Sequence, residues 1–597
     1  MELRNITSDD IYNAFLYGAS EVVSSTQHLN KINVFPIQDG DTGNNLSSMM
    51  KTMINESTKK ESVKETLESF SDAAIRGARG NSGIIFAQYL NGLSTEMSES
   101  REIDYNHYAD ASRKAVDYAY DSIDQPVEGT MLTVMKEWGR ALNRDNELLS
   151  SITDGMSYAV EKVNEALLKT QYQLVELKRA KVVDAGAKGF TLFIEGITDY
   201  FKTGNKIKLS AVNREDIDMV AIDINHDINS EITYRYCTEC LLEGENLDRK
   251  ELKNKLKGLG DSLVVAGNKR VSRIHIHTND PAKAFEILHK EGRIAHQKVD
   301  DMKKQHDVVV NRKSDIAILT DSIADIPLDF IDENQIHVIN LNILFRDISF
   351  IDKITITPKK LLEYSKNDSF LPTSSQPDEK QIENVLSYLA SYYKSVIVIT
   401  VSKALSGTHS IISRVAKKLD LKDFKIDIID SKQNSGAEGL LVATAADLLN
   451  EGLSHDEIVA EIEKRVARSK ILVKVKTLDN MIKSGRLSTR AGKIGKKIGL
   501  RPVVTLDENG DGGLDSFAFT EKGSLNQIKK HVKKKMKTNT IETYNIVHVN
   551  NLEEAKDFEI IFEDIIGMKP KYITEASSVI AVGAGDKVVA LSYILED

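Results

Sequence analysis

Asn33-Val34-Phe35-Pro36-Ile37-Gln38-Asp39-Gly40-Asp41-Thr42-Gly43-Asn44-Asn45 is the stretch on which the reading of this chain turns. Two carboxylates, Asp39 and Asp41, stand either side of one glycine, and a second glycine follows. Leu46, Met49 and Met50 then open a helical spacing of apolar residues, which puts the acidic turn at the mouth of a helix. Hard divalent cations such as Mg2+ take oxygen ligands, keep several waters, and are commonly held by one or two carboxylates together with substrate phosphates. Asp39 and Asp41 meet that need. A calcium EF-hand is a poor fit, because the loop lacks a third Asp or Asn ligand and Met50 stands where the bidentate Glu belongs. The competing reading is an Asx turn that caps the helix.

The whole chain limits what this loop can belong to. Its 597 residues exceed one hydrophobic core, and the length suggests roughly three or four domains. A hydrophobic content of 41% with 28% charged residues describes an ordinary globular protein rather than a disordered or membrane-embedded one. The formal net charge of -10 argues against a general nucleic-acid or membrane surface. Two cysteines exclude a disulfide framework and fit a reducing cytoplasm. The first residues include Glu2, Arg4, Asp9 and Asp10 with no apolar core, so no signal peptide is expected. No run of about eighteen apolar residues occurs, so any lipid would be handled from solution.

Residues 1 to about 205 read as helical, beginning with Ile11, Phe15, Leu16, Ala19, Val22 and Val23 at helical spacing. Segments around 60–76, 84–93, 107–122, 130–142, 150–168 and 186–202 behave alike. Three further polar loops interrupt them. In Arg76-Gly77-Ala78-Arg79-Gly80-Asn81-Ser82-Gly83, glycines at every third position let backbone amides approach an anion, and the start of the following helix adds free N–H groups. It is neither a Walker A loop nor a dinucleotide fingerprint, and a small-residue helix contact with a Ser cap is the alternative. The others are Glu128-Gly129-Thr130 and Asp184-Ala185-Gly186.

These four loops, in this order, resemble the DhaL-type nucleotide-binding domain of dihydroxyacetone kinases, and more closely its version in bacterial fatty acid kinases. The resemblance covers roughly residues 5–205 and implies an eight-helix barrel that holds ATP through two Mg2+ ions. It implies Asp39 and Asp41 as catalytic metal ligands, with Asn33 at the position of a third ligand. It places Asn45, Gly80, Asn81, Ser82, Gly83, Gly129, Thr130, Asp184 and Gly186 around the nucleotide.

From about 207 to 313, strand-like runs (Ile232–Cys237, Ser262–Ala266, Arg273–His277) alternate with a helix over 281–290, giving a small α+β domain. His275 and His277 project from one face of a strand and can share an ion, and Cys237 would give a third zinc ligand. The alternative is a surface His pair and a buried free thiol. Tyr236-Cys237-Thr238-Glu239 and His275-Ile276-His277-Thr278-Asn279-Asp280-Pro281 resemble the middle domain of the bacterial fatty acid kinases, and the resemblance implies zinc on Cys237, His275 and His277. Cys240 stands where that family has an apolar residue and is a candidate fourth ligand, although three residues along the strand it should face the other way.

Residues 314 to 597 open with Ile316-Ala317-Ile318-Leu319-Thr320-Asp321-Ser322, a buried strand ending in a polar turn, as open α/β sheets present ligands. Val396–Val401 runs into Ser402-Lys403-Ala404-Leu405-Ser406-Gly407-Thr408, and Ile426–Ile429 ends at Asp430-Ser431. Hydroxyls at strand ends suit a carboxylate, though each alone reads equally as a helix cap. With Pro372-Thr373-Ser374-Ser375-Gln376-Pro377 and Lys483-Ser484-Gly485-Arg486, this set resembles the DegV family of fatty-acid-binding proteins. The resemblance implies one acyl chain buried between two α/β lobes (about 314–475 and 476–597), its carboxylate held by Ser374, Ser406, Thr408 and Arg486. It departs at Gly583-Ala584-Gly585, where the family carries a His of the carboxylate network.

The expected architecture is therefore multidomain: an all-α eight-helix barrel over 1–206, a small α+β domain over 207–313, and a two-lobed α/β DegV-like domain over 314–597. The expected activity is ATP-dependent phosphorylation of a bound fatty acid's carboxylate to an acyl phosphate. The alternatives are a lipid-binding or lipid-sensing protein whose kinase half is regulatory or serves a separate DegV-type carrier, and a glycerone-type kinase, whose ketone-binding domain finds no match here. ATP with Mg2+ and a structural Zn2+ are the expected cofactors. A cytoplasmic homodimer that takes a fatty acid or related lipid, binds no nucleic acid and touches membranes only transiently completes the expectation.

Overall fold

Two capping boxes show how the polar loops start helices. Thr7 Oγ1 accepts the Asp10 N–H while the Asp10 carboxylate takes the Thr7 N–H at 3.0 Å, and Ser62 and Glu65 repeat the device. The computed structural model describes residues 5–34, 41–143, 151–204, 232–366, 370–483 and 500–597, in two units, Met1–Met302 and Lys303–Asp597.

In the first unit the helices are α1 (Ser8–Ser24), α2 (Thr26–Lys31), α3 (Thr42–Glu56), α4 (Val63–Gly77) and α5 (Gly80–Glu96). They continue as α6 (Tyr105–Ser122), α7 (Met131–Leu142), α8 (Ile152–Gln173), α9 (Val175–Ala180) and α10 (Ala185–Thr203). Leaving aside the short α2 and α9, each helix packs on the next, and α10 packs back on α1. A nest of rings fills the middle: Phe86 meets Phe190 and Phe193 with ring centroids 5.2 Å apart, and Phe15 meets Phe70 and Phe193 at 5.3 Å. Among the described residues of this part the strands are only the two-residue pair β1 (Ile6–Thr7) and β2 (Glu102–Ile103).

The same unit contains an antiparallel sheet in the order β4-β5-β3-β6. Its strands are β3 (Tyr236–Glu243), β4 (Gly260–Gly267), β5 (Val271–Thr278) and β6 (Arg293–Asp301), with a helix Pro281–Glu291. The strand expected over 232–237 is displaced, since β3 runs eight residues from Tyr236 and pairs along its whole length with β5. Sequence reading missed β6 altogether, because this edge strand is mostly half-exposed and rich in charge, with little apolar alternation to betray it. The sheet is tied to the helices within the unit. Gln88 Oε1 accepts the Gly267 N–H at 2.8 Å, and Asn91 Nδ2 donates to the Gly267 carbonyl at 3.1 Å.

The second unit holds a parallel sheet, β13-β12-β7-β8, made of β7 (Ile316–Asp321), β8 (His337–Ile339), β12 (Ser395–Thr400) and β13 (Lys425–Asp430). Each of the three strands anticipated from apolar runs is there. A three-stranded sheet, β10-β9-β11, joins β9 (Asn342–Phe345), β10 (Ile348–Ile351) and β11 (Thr373–Ser375). A six-stranded sheet, β16-β15-β14-β19-β17-β18, completes the unit. Its members are β14 (Ser469–Lys474), β15 (Arg501–Leu506), β16 (Gly512–Ala518), β17 (Ile541–Val549), β18 (Ile573–Glu575) and β19 (Val588–Leu595).

Buried carboxylates knit this unit together. Asp352 accepts the Ser322 hydroxyl at 2.7 Å and the Ser578 N–H at 2.8 Å. Asp325 accepts the Ser435 hydroxyl at 2.6 Å and the Ser577 N–H at 2.7 Å, with Lys353 Nζ at 3.1 Å. Asp321 takes the Val401 and Ile323 N–H groups, each at 3.0 Å. Glu438 is also fully buried, and its Oε2 has no hydrogen-bond partner. Burial pushes Asp321 and Asp352 up to about 6 and Glu438 well above the usual carboxylate range. A carboxyl whose folded value is raised binds its proton better in the native state, so its stabilisation is complete below the unfolded value and fades as pH rises through the folded one. Lowering the pH from about 7.5 to about 5.5 should therefore raise this unit's thermal midpoint, and Glu438→Gln should flatten that rise. Calorimetry across that range checks it, and an unchanged slope in the variant removes Glu438 from the account.

Candidate functional site

Four helix starts meet in the first unit. Helix α5 begins at Gly80, earlier than its apolar run suggested, so Asn81, Ser82 and Gly83 form its first turn. Gly80 sits in the left-handed region at φ 58°, and a methyl there would lie 2.6 Å from Asn45 Nδ2 in the first turn of α3. A methyl on Gly186, in the first turn of α10, would lie 2.9 Å from Ser82 Oγ and 3.2 Å from the Met131 side chain at the start of α7. Asp184 caps α10 through Ala187 N–H at 2.7 Å, and its carboxyl also takes a hydrogen bond from the Met131 backbone. Burial raises Asp184 to about 6. Asp184 thus fastens the start of α10 to that of α7.

The acidic turn lies partly outside this picture, since Asp39 falls outside the described residues. Asp41 occupies the N-cap position of α3, where its carbonyl accepts the Asn45 N–H at 2.9 Å, but its side chain makes no capping bond. Capping, the competing reading of the sequence, is therefore not the work of the Asp41 carboxylate. Asn33 is buried, three per cent exposed, just after α2. Asn30 of α2 exchanges hydrogen bonds with Asn44, the backbone N–H at 3.1 Å, and so braces the first turn of α3. The Glu128-Gly129-Thr130 turn is tied to itself: Thr130 Oγ1 donates to the Val127 carbonyl at 2.8 Å, and Thr133 Oγ1 donates to Glu128 at 2.6 Å. Gly129 lies against Gln173 at the end of α8.

One face of the antiparallel sheet carries the second cluster. Cys237 stands opposite His277 and Glu239 opposite His275 across β3 and β5. Cys237 Sγ lies 3.9 Å from His275 Nδ1, and one ligand atom each from Cys237, His275 and His277 lies within 4.8 Å of the others. His275 Nε2 is buried without a hydrogen-bond partner. A thiol and two imidazoles at this spacing are a zinc-type donor set with a fourth position left over. Cys240 takes no part: it pairs with Ile274 on the opposite face, and burial pushes its thiol up to about 12. Burial opposes charge on His275, yet Cys237 and Glu239 hold its value up at about 10, whereas burial pulls His277 down to about 3.

Sequence reasoning missed Glu239. Its Oε1 accepts the Gly80 N–H at 2.7 Å, its Oε2 meets Arg273 at 3.1 Å, and His275 Nδ1 lies 3.7 Å away. Its side chain is four per cent exposed. The signal was its place two residues from Cys237 on one strand face.

The second unit also contains an apolar cavity. Ile471, Val473, Val504, Val547 and Ala590 wall it, and Leu405, His548 and Gly583 also reach it. Ser435, held by Asp325, also lines it, and the helix Ser578–Ala584, held by Asp352, forms one side. Ser406 Oγ lies 2.8 Å from Thr408 Oγ1, next in chain to Leu405. A methyl on Gly407 would collide with the Gln376 amide, so the Ser374-Ser375-Gln376 segment lies against that hydroxyl loop. Ser374 pairs with Ile343 in β11. Arg486 falls outside the described residues. No described helix is long and apolar enough to cross a membrane.

Comparison with known proteins finds matches in both units. An uncharacterized protein of Staphylococcus epidermidis is 32% identical over 311 residues, which is 50% of this chain and 56% of that protein. The matched region thus spans about half of that relative. An uncharacterized protein of Staphylococcus aureus is 28% identical over 481 residues, 76% of this chain and 85% of its own length. Among solved structures, a DegV-family protein from Thermus thermophilus, described by its fatty acid binding, matches 47% of this chain and 99% of its own at 22% identity and a TM-score of 0.45. DegV from Bacillus subtilis, described as a fatty acid binding protein, matches the same shares at 25% identity and 0.43. Family models match residues 36–199 as a DAK2 domain, 233–309 as the FakA-like middle domain of fatty acid kinase, and 315–596 as the DegV family. The chain is a fusion, in that order, of a DAK2 (DhaL-type) domain, a FakA-like middle domain of the fatty acid kinase kind and a DegV-family domain.

Proposed function

We propose that this chain is an ATP-dependent kinase that phosphorylates the carboxylate of a bound fatty acid, giving an acyl phosphate. The observation that carries this reading is the meeting of the starts of α3, α5, α7 and α10 beside Asp41. Each helix start offers unsatisfied N–H groups and about half a positive charge, so their convergence suits a polyphosphate. An eight-helix barrel of the dihydroxyacetone kinase kind belongs to the proposal, supported by the serial packing from α1 round to α10.

In this reading Asp39 and Asp41 hold Mg2+, with Asn33 as a neutral third donor. Bound Mg2+ neutralises charge on the transferring phosphoryl group. The first-turn amides of α5 and the Ser82 hydroxyl orient phosphate oxygens, and Asn45, Gly129, Thr130 and Gly186 shape the surrounding wall. Asp184 holds two of the helix starts together. The acceptor carboxylate is already ionised at neutral pH, so the protein supplies position rather than a base. Cys237, His275 and His277 hold a structural zinc ion that pins β3 to β5. The apolar cavity takes the acyl chain, where burying ~15 methylenes at ~0.8 kcal/mol each yields roughly 12 kcal/mol gross. Ser374, Ser406, Thr408 and Arg486 receive the carboxylate.

A second reading, a lipid-binding or lipid-sensing protein whose kinase half acts elsewhere, is favoured by Gly583. It reaches the cavity and has no side chain to offer a carboxylate. Incubation with ATP, Mg2+, a fatty acid and hydroxylamine distinguishes the two. Wild type should yield acyl hydroxamate, and Asp41→Asn should lower the rate by at least about a hundredfold. Hydroxamate at the wild-type rate from that variant would remove Asp41 from catalysis, and co-purified lipid with no ATP turnover would favour sensing. For the zinc cluster, purified wild type should carry stoichiometric zinc by elemental analysis and Cys237→Ser should lose most of it. Full zinc content in the variant would overturn the assignment.

A further inference from the structure

The Glu239 carboxylate lies between two groups that the sequence keeps about 160 residues apart: the start of α5 and the Cys237–His275–His277 cluster. Resting on the nucleotide reading above, we propose that Glu239 is a positioning residue for the phosphate cradle and couples the metal cluster to it. Three contacts carry this. The Gly80 N–H donates to Oε1 at 2.7 Å, the shortness expected of a charge-assisted bond. The Arg273 guanidinium holds Oε2 at 3.1 Å, with both side chains under five per cent exposed. His275 Nδ1 stands 3.7 Å from Oε1.

The geometry defines what each contact does. Gly80 supplies the first amide of α5, one of the donors that a helix cannot satisfy internally. Glu239 consumes that amide and, by fixing a residue in the left-handed region against Asn45, sets the direction in which the amides of Asn81, Ser82 and Gly83 point. A carboxylate this close to a phosphate site would repel the ligand if it stood alone. Arg273 compensates it at Oε2, so the Gly80 contact at Oε1 is kept without net negative charge at the cradle. The carboxylate sits on β3 two residues from Cys237 and directly opposite His275. Any change in the seating of His275 against β3 is therefore passed to Gly80 through one side chain.

The test uses the full-length protein and titration calorimetry with MgADP, alongside zinc content and thermal unfolding. Wild type should bind MgADP, and removal of zinc by a chelator should weaken that binding roughly fivefold or more. Glu239→Ala should weaken MgADP binding by about tenfold or more and make the residual affinity insensitive to chelation. Ala leaves Arg273 buried without a partner, so Glu239→Gln is the deciding variant if Ala fails to fold. Gln keeps a neutral acceptor for Gly80 and should fall between Ala and wild type in affinity, with the response to chelation reduced. A purely structural residue would change the unfolding midpoint without this graded effect on nucleotide affinity. MgADP affinity in a folded Glu239→Gln protein within twofold of wild type, with an intact response to chelation, overturns the proposal. Asp41→Asn separates the two levels. Wild-type binding that Asp41→Asn loses and both Glu239 variants keep sinks the role of Glu239 alone, and no binding by wild type sinks the nucleotide reading with it.

Discussion

A helix cannot satisfy its own first amides, and the helical part of the first unit is organised around that constraint. Elsewhere in the fold the debt is met locally, by Thr7, Ser62, Asp104 and Ser151 side chains folding back on their helices. At α3, α5 and α7 no side chain caps the helix from the N-cap position. These are three of the four starts that meet, and the fourth, α10, is capped by an Asp184 that also reaches across to α7. Asn30, Glu239 and Asp184 take backbone donors from these starts, and the first-turn donors left over are costly to keep unless something negative meets them. Asp41 and the polar first turns of α3 and α5 lie at this place.

The second unit meets the opposite difficulty. Its cavity is walled by Ile, Val and Ala, and such a wall gives no orientation to what it encloses. Orientation comes from the frame behind it. Asp325 grips Ser435 in the lining, and Asp352 grips the N-terminus of the helix that forms one side. These carboxylates are buried and held by hydroxyls and backbone amides, with Lys353 beside Asp325, so they fix the frame rigidly. Glu438 is buried with one oxygen unpaired, and burial pushes its carboxyl well above the usual range.

Much of this was legible in the residues. Helical spacing located the long helices, and apolar runs located β7, β12 and β13, because each buries a face or a whole strand against a core. The parity of a strand put Cys240 on the face away from Cys237, where its pairing with Ile274 lies. What escaped had no periodic signature. The edge strand β6 is largely charged, and the start of α5 lies in small polar residues before the apolar run begins at Ile84. Glu239 escaped for a different reason. Its partner Gly80 is distant in sequence, and only the packing of the sheet on α5 brings the two together. Ser374 and Ser406 were marked as hydroxyl donors, but that their segments touch through Gln376 and Gly407 belongs to tertiary structure.

The edge position of β6 has a consequence for how copies of this protein meet. One side of this strand pairs with β3, and among the described residues nothing pairs with the other, which leaves a row of backbone donors and acceptors that another strand could extend. The sequence answers with Arg293, Lys298, Asp300 and Asp301, whose charges would be stripped of water by any strand laid alongside. The same polarity that hid β6 from a sequence reading thus guards the sheet against growing from molecule to molecule. An apolar β6 would have been easier to find and harder to keep in solution.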